Sequence, residues 1–237
     1  PAPISTLALY RASPLGIIGS FSTGIAQGSV FGMGAVFGNL IGLSVTEVSL
    51  FMAVFALGAV VLQWPIGWLS DRFDRRKVIV ATTAVSALLA LSALQAAHHT
   101  PQILIIAIAL YGGISVPLYS LFIAHTNDHL QPGQRVSASA RLVMVNGFGA
   151  AVGPMLSAWG ISTLGSDSFM LFLFVNHAAM TVFGLWRMTR SEPVPLDEQP
   201  NYAPMAPRGT PLAAGIASRT VRGEGVDDQE STTWERL

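Results

Sequence analysis

Six apolar segments, at about 14–38, 47–69, 78–97, 102–125, 137–163 and 168–187, dominate the chain. A helix rises 1.5 Å per residue, so about 20 apolar residues cross the roughly 30 Å hydrocarbon layer of a bilayer. Inside lipid every backbone N–H and C=O needs an internal partner, which a helix supplies to itself. The pattern therefore predicts an all-α membrane protein with six transmembrane helices. Composition agrees, because only 11% of the residues are charged, whereas a soluble domain carries roughly 25%. The mean hydropathy is +0.52.

The joints between the segments carry helix-boundary chemistry. Ser44-Val45-Thr46-Glu47 reads as a capping box ahead of the second span. Thr100-Pro101 places a cap and a first-turn proline before the fourth. Pro132-Gly133 marks a turn, and Gly165-Ser166-Asp167 closes one helix and caps the next.

Basic residues set the orientation. Arg11, then Arg72, Arg75, Arg76 and Lys77, then Arg135 and Arg141, then Arg187 and Arg190 all fall on one side, and the opposite loops hold no lysine or arginine. The positive-inside rule places that side, and with it both ends of the chain, in the cytoplasm. Residues 1–13 read as the end of a cytoplasmic loop. From about Ser191 prolines and scattered charges replace the apolar pattern, and such a segment buries too little apolar surface to offset its ordering entropy. Residues 191–237 are expected to be a disordered cytoplasmic tail.

Several chemistries are excluded or unsupported. The chain has no cysteine, which removes thiol catalysis, disulfides and Cys-ligated metals. No Walker loop is present, and the basic cluster is a short membrane-flanking loop, so no cofactor, metal or nucleic acid is expected. The middle of every span lacks Asp, Glu, Lys and Arg. His177, near the centre of span six and beside Asn176, reads as a hydrogen-bonded structural histidine.

Between spans two and three lies Gly67-Trp68-Leu69-Ser70-Asp71-Arg72-Phe73-Asp74-Arg75-Arg76-Lys77. This stretch resembles the G-x-x-x-D-R-x-G-R-R signature of the major facilitator superfamily (MFS) of secondary transporters, with Asp74 where the family usually has glycine. Gly147-Phe148-Gly149-Ala150-Ala151-Val152-Gly153-Pro154 is similar to the glycine-rich, Gly-Pro-containing helix common in that family. The resemblance covers the chain to about residue 190. It implies one six-helix half of a twelve-helix transporter, and the tail suggests the C-terminal half. Pro1 and a first methionine at Met33 fit a chain whose preceding half is missing.

In the family the charged motif is taken to hold the cytoplasmic side of the outward-facing state closed. By that resemblance the gating residues are Gly67, Asp71, Arg72, Arg75 and Arg76, with Asp128 as the carboxylate near the inner end of span four that Arg75 can pair with. The resemblance also makes the first and fourth spans cavity-lining. Thr23 and Gln27 share a face of span one with Ser20, Phe31 and Gly34, and Tyr111, Ser115 and Tyr119 share one of span four. Such faces suit a neutral or amphipathic solute. Equally, these side chains can serve as interhelical glue. Gly24, Gly28 and Gly32 form a small-xxx-small ridge that suits helix packing.

The implied function is a secondary active permease moving a small solute across a bacterial cytoplasmic (inner) membrane by alternating access. The implied partners are the solute, a proton as candidate coupling ion with its carboxylate in the other half, the lipid bilayer and the missing N-terminal six-helix half. One alternative is a stand-alone six-helix half that dimerises or acts as a scaffold. Another, an intramembrane serine protease, fails on its motif, because Gly113-Ile114-Ser115-Val116 lacks the second glycine of Gly-x-Ser-Gly. An enzyme is not expected.

Overall fold

The structure is a computed structural model that describes residues 4–97, 101–190 and the single positions 195, 199 and 202. Among the described residues it is all helix and turn, with no strand. The helices are α1 (Thr6–Ala12), α2 (Pro14–Leu40), α3 (Val45–Arg72), α4 (Arg75–Ala97), α5 (Pro101–Ser115), α6 (Leu118–Asp128), α7 (Arg135–Leu164) and α8 (Ser168–Met188). Five stretches are long and apolar enough to span a bilayer, with α5 and α6 counted together. The sixth long helix, α2, is 27 residues and rich in glycine and serine.

Local sequence sets the helix starts. Ser44 accepts the Glu47 N–H at 3.3 Å while the Glu47 carboxylate accepts the Ser44 N–H at 2.8 Å, so the capping box at α3 is closed on both sides. Ser13 caps α2 by accepting the Gly16 N–H at 3.3 Å, with Pro14 in the first turn. Gly165 ends α7 at φ +89°, a left-handed conformation that costs glycine little.

Close backbone approach builds the bundle. The glycines of α2 and α7 interlock, since a Cβ on Gly24 would sit 2.1 Å from the Asn146 carbonyl oxygen and one on Gly28 would sit 2.3 Å from that of Ala150. Facing them, a Cβ on Gly149 would meet the Phe21 carbonyl oxygen at 2.3 Å. Small residues let helices approach closely where lipid provides no hydrophobic drive between them, leaving dispersion contacts to hold the pair. The same device joins α3 to α5 at Gly58 and Gly112. On the other side α4 packs along α8, tied by a 3.1 Å hydrogen bond from Thr181 to Thr83.

The fourth apolar segment, read from the sequence as one span over 102–125, is broken. Pro117 has no N–H to donate, and the helix interrupts at Val116–Pro117 before resuming as α6. At the break the Val116 carbonyl accepts from the Gln27 side chain at 3.3 Å and from the Tyr119 N–H at 3.4 Å. Broken backbone in a membrane helix is tolerated when protein groups re-satisfy it, and this segment is more enclosed than α3, α4, α7 or α8.

The chain before α2 is also more ordered than a plain loop. Ile4 and Leu9 are buried against Tyr119, Ile123 and Leu142. The Ile4 N–H donates to Ser137 Oγ at 3.3 Å and the Ile4 carbonyl accepts from Arg141 at 3.2 Å. This short arm and α1 thus fasten the start of the bundle to α7. Most of 191–237 lies outside the described residues, but Tyr202 is described and buried.

Candidate functional site: a charge lock and groove at one end of the bundle

The ends of α3, α4 and α6 meet around one guanidinium. Arg75, in the first turn of α4, is only 1% exposed. It forms an ion pair with Asp128 at the end of α6, whose side chain is 2% exposed. Its Nε donates to Ser70 Oγ at 2.9 Å, and its Nη2 lies 3.5 Å from Asp71 Oδ1. Two of these partners are carboxylates from different helices, so the buried cation ties α4 to both α3 and α6. An enclosed pair of this kind is costly to break, because either ion left alone stays desolvated.

Asp74, the residue that departs from the family signature, caps α4. Its side chain accepts the Arg76 backbone N–H at 3.0 Å, and its carbonyl accepts the Lys77 N–H at 2.9 Å. The same carboxylate holds the Arg76 guanidinium at 3.0 Å. Burial raises its pKa, but the hydrogen bonds and charge of Arg76 outweigh that and hold the carboxyl below the usual aspartate range. Asp74 does not have a positive φ, so the backbone freedom of glycine is not needed here. Arg72 points elsewhere, stacking on Trp68 at 3.9 Å from the ring centroid.

Beside this lock runs a groove of about 440 Å³ lined by Val60, Gln63, Trp64, Gly67, Trp68, Asp71 and Tyr202. The Tyr202 ring lies directly on Gly67, where an added Cβ would stand 2.4 Å from a ring carbon. The Tyr202 N–H donates to Asp71 Oδ1 at 2.7 Å. Burial pushes the Tyr202 phenol above its usual range, with the Ser120 and Gln63 side chains acting in the opposite sense. The ring thus reaches between α3 and α6. Gln199 lines a small recess with Asp74, Arg75, Arg76, His125, Asp128 and His129. Nothing in the residue pattern around Tyr202 signals this placement, beyond its being an aromatic in a proline-rich stretch.

Of the residues expected to line a cavity, Thr23, Gln27, Tyr111, Ser115 and Tyr119 are buried, and Phe31 of the same α2 face is exposed. Gln27 serves the broken backbone at Val116, and Thr23 bonds back to the Gly19 carbonyl at 2.8 Å. Tyr111 is 1% exposed and meets His177 of α8 edge-on at 5.5 Å between ring centroids. Ser115 is also buried. Tyr119 packs against Leu142 and Ala138 of α7, and its hydroxyl has no hydrogen-bond partner. Ser20 Oγ is likewise buried without a partner, while Asn146 donates to the Ser20 carbonyl at 3.0 Å. Periodicity put Tyr111 on the same face as Tyr119, but the Tyr111 ring meets His177 of α8. His177 hydrogen-bonds the Leu173 carbonyl at 2.9 Å, and Asn176 exchanges hydrogen bonds with Ser22 across α2 and α8.

A bundle of long apolar helices, one of them broken partway along and held by charge at one end, fits an integral membrane transporter. The Major Facilitator Superfamily profile matches residues 16–223, and the chain belongs to that family. An uncharacterized MFS-type transporter of Enterobacter sp. (strain 638) is 27% identical over 186 residues, covering 78% of this chain and 47% of that protein. The uncharacterized MFS-type transporter YcaD of Escherichia coli (strain UMN026) is 26% identical over 193 residues, covering 81% of this chain and 49% of its own. The chain thus spans about half the length of these relatives. The crystal structure of an auto-inhibited POT family peptide transporter superposes with a TM-score of 0.67 at 15% identity, over 78% of this chain and 39% of that one. That likeness concerns the fold alone.

Proposed function

We propose that this chain is one six-helix half of a secondary active transporter that moves a small solute across a bacterial cytoplasmic membrane by alternating access, with both ends in the cytoplasm. The observation that carries the reading is the buried Arg75 held by Asp128, Asp71 and Ser70 where three helices end. On the positive-inside reading this is the cytoplasmic end. There Asp71, one-third exposed at the groove edge, accepts N–H groups from an approaching helix end of the other half, whose dipole favours an anion. Closing the two halves over it shuts the inner gate, and opening them exposes the groove.

The solute site lies deeper, where Gln27 bonds the break at Val116–Pro117 and Asn146 bonds Ser20 about two turns along α2, with the buried Tyr119 hydroxyl just past the break. Discontinuous helices provide polar backbone for a substrate at mid-membrane. Hydroxyl and amide groups without an ion suit a neutral or amphipathic solute, and a coupling proton takes its carboxylate from the other half. The test is the intact mass of the native membrane-extracted protein. A mass near twice 25.1 kDa supports a two-half transporter. A mass near 25.1 kDa overturns it in favour of a six-helix unit that pairs with itself.

A further inference from the structure

A second groove lies away from the charge lock. It measures about 240 Å³ and is lined by Thr6 of α1, Phe21 of α2 and Arg141, Met144, Val145 and Phe148 of α7. Phe21 and Phe148 stand nearly parallel, with ring centroids 6.1 Å and planes 23° apart, and form its aromatic wall. Met144 and Phe148 are exposed, so that wall is open to a ligand. Arg141 is the polar element. The other arginines and the lysine among the described residues lie in the first or last turn of a helix or just past it, whereas Arg141 stands six residues into α7, about 9 Å along the axis from Arg135. A charge carried that far into a membrane-spanning segment pairs with another group or marks a ligand pathway. Among the described residues its one hydrogen bond runs from Nε to the Ile4 carbonyl at 3.2 Å, which fixes the guanidinium plane. The two Nη groups are left over, and together they make the planar fork that matches a carboxylate. No acid answers them, because α1, α2 and α7 contain no Asp or Glu and none lines the groove.

We infer that this groove is a binding site for a small amphipathic organic carboxylate. The Arg141 fork takes the carboxylate, and the apolar body lies on the Phe21–Phe148 wall beside Met144, whose unbranched side chain adapts to it. Charge and shape select together: a neutral ligand of the same form leaves the fork unpaired, and the volume, below the roughly 300–1,000 Å³ of pockets for drug-sized ligands, keeps the occupant small. The site is separate from the Asp71 gate and from the deeper polar groups at the helix break, and it stands if either of those readings fails.

The test measures binding of tritiated phenylbutyrate to the full-length protein by scintillation proximity, in nanodiscs of pure phosphatidylcholine and of equal parts phosphatidylcholine and phosphatidylglycerol. Saturable binding is expected in both, with phenylbutanol competing at least about tenfold more weakly than unlabelled phenylbutyrate. Arg141→Gln should weaken binding by about tenfold to a hundredfold, the loss of hydrogen bonds to a charged group, and Arg141→Lys, which keeps the charge without the fork, should fall between the two. Arg141→Gln also gives up the bond to Ile4, so Phe148→Ala, at an exposed ring, tests the wall without touching that contact and should weaken binding about two- to tenfold. No saturable binding overturns the site. Equal competition by the alcohol, or wild-type affinity in both Arg141→Gln and Phe148→Ala, overturns the assignment of fork and wall. Binding in phosphatidylcholine that is lost with phosphatidylglycerol gives the groove to an anionic lipid and overturns the small carboxylate as its occupant.

Discussion

Removing the counter-ion of Arg75 is the sharpest perturbation of the charge lock. In Asp128→Ala the guanidinium stays 1% exposed while losing its enclosed carboxylate. Ser70 Oγ at 2.9 Å and Asp71 Oδ1 at 3.5 Å remain, so the loss belongs at the lower end of the range for breaking a buried pair, about 3 kcal/mol. On the scaling of a 150–250-residue domain that corresponds to a fall in midpoint of about 6–12 °C. Thermal scanning of detergent-purified protein by size-exclusion fluorescence reads this directly. The control replaces both partners with apolar groups, Arg75→Met with Asp128→Leu. Removing both charges together avoids the orphaned ion, so the double variant should recover most of the loss. A midpoint for Asp128→Ala indistinguishable from wild type, or a double variant as unstable as the single, would refute the reasoning that burial makes this pair obligatory.

Three further outcomes follow from individual contacts. Asp74→Ala should cost about 1 kcal/mol through loss of the α4 cap, while Asp74→Gly should cost only a few tenths, read as a thermal shift between the two variants. Gly28→Leu should abolish the folded monodisperse protein, because its Cβ would stand 2.3 Å from the Ala150 carbonyl, whereas Gly147→Ala, with nothing within 4 Å, should behave as wild type on size-exclusion chromatography. Gln27→Leu leaves the Val116 carbonyl with only its 3.4 Å contact to the Tyr119 N–H and should cost roughly 1–3 kcal/mol; an unshifted midpoint would show that the break does not depend on this side chain.

Hydropathy and caps made most of the helical layout legible from the chain, because span length and the Ser44–Glu47 and Gly165 signals are local. The approach of Arg75 to Asp128 was reachable too, since Asp128 is the one carboxylate near the inner end of span four. The break at Pro117 was not, because a proline inside a membrane helix can kink it, be absorbed or end it, depending on whether neighbours such as Gln27 re-satisfy the backbone. Periodicity shows which side chains share a face but not what that face meets. It could not separate Tyr111, turned to His177, from Tyr119, turned to α7. Tyr202 was illegible for a related reason: composition argues against ordering a whole segment and says nothing about one ring finding the notch at Gly67.

The gate is tested most directly by outer-side labelling of a cysteine at Phe31, with and without Asp71→Asn, in a full-length protein carrying no other cysteine. If Asp71 holds the inner side shut, Asp71→Asn shifts the population inward and outer labelling falls. Equal labelling in the two proteins would contradict a gate built on Asp71.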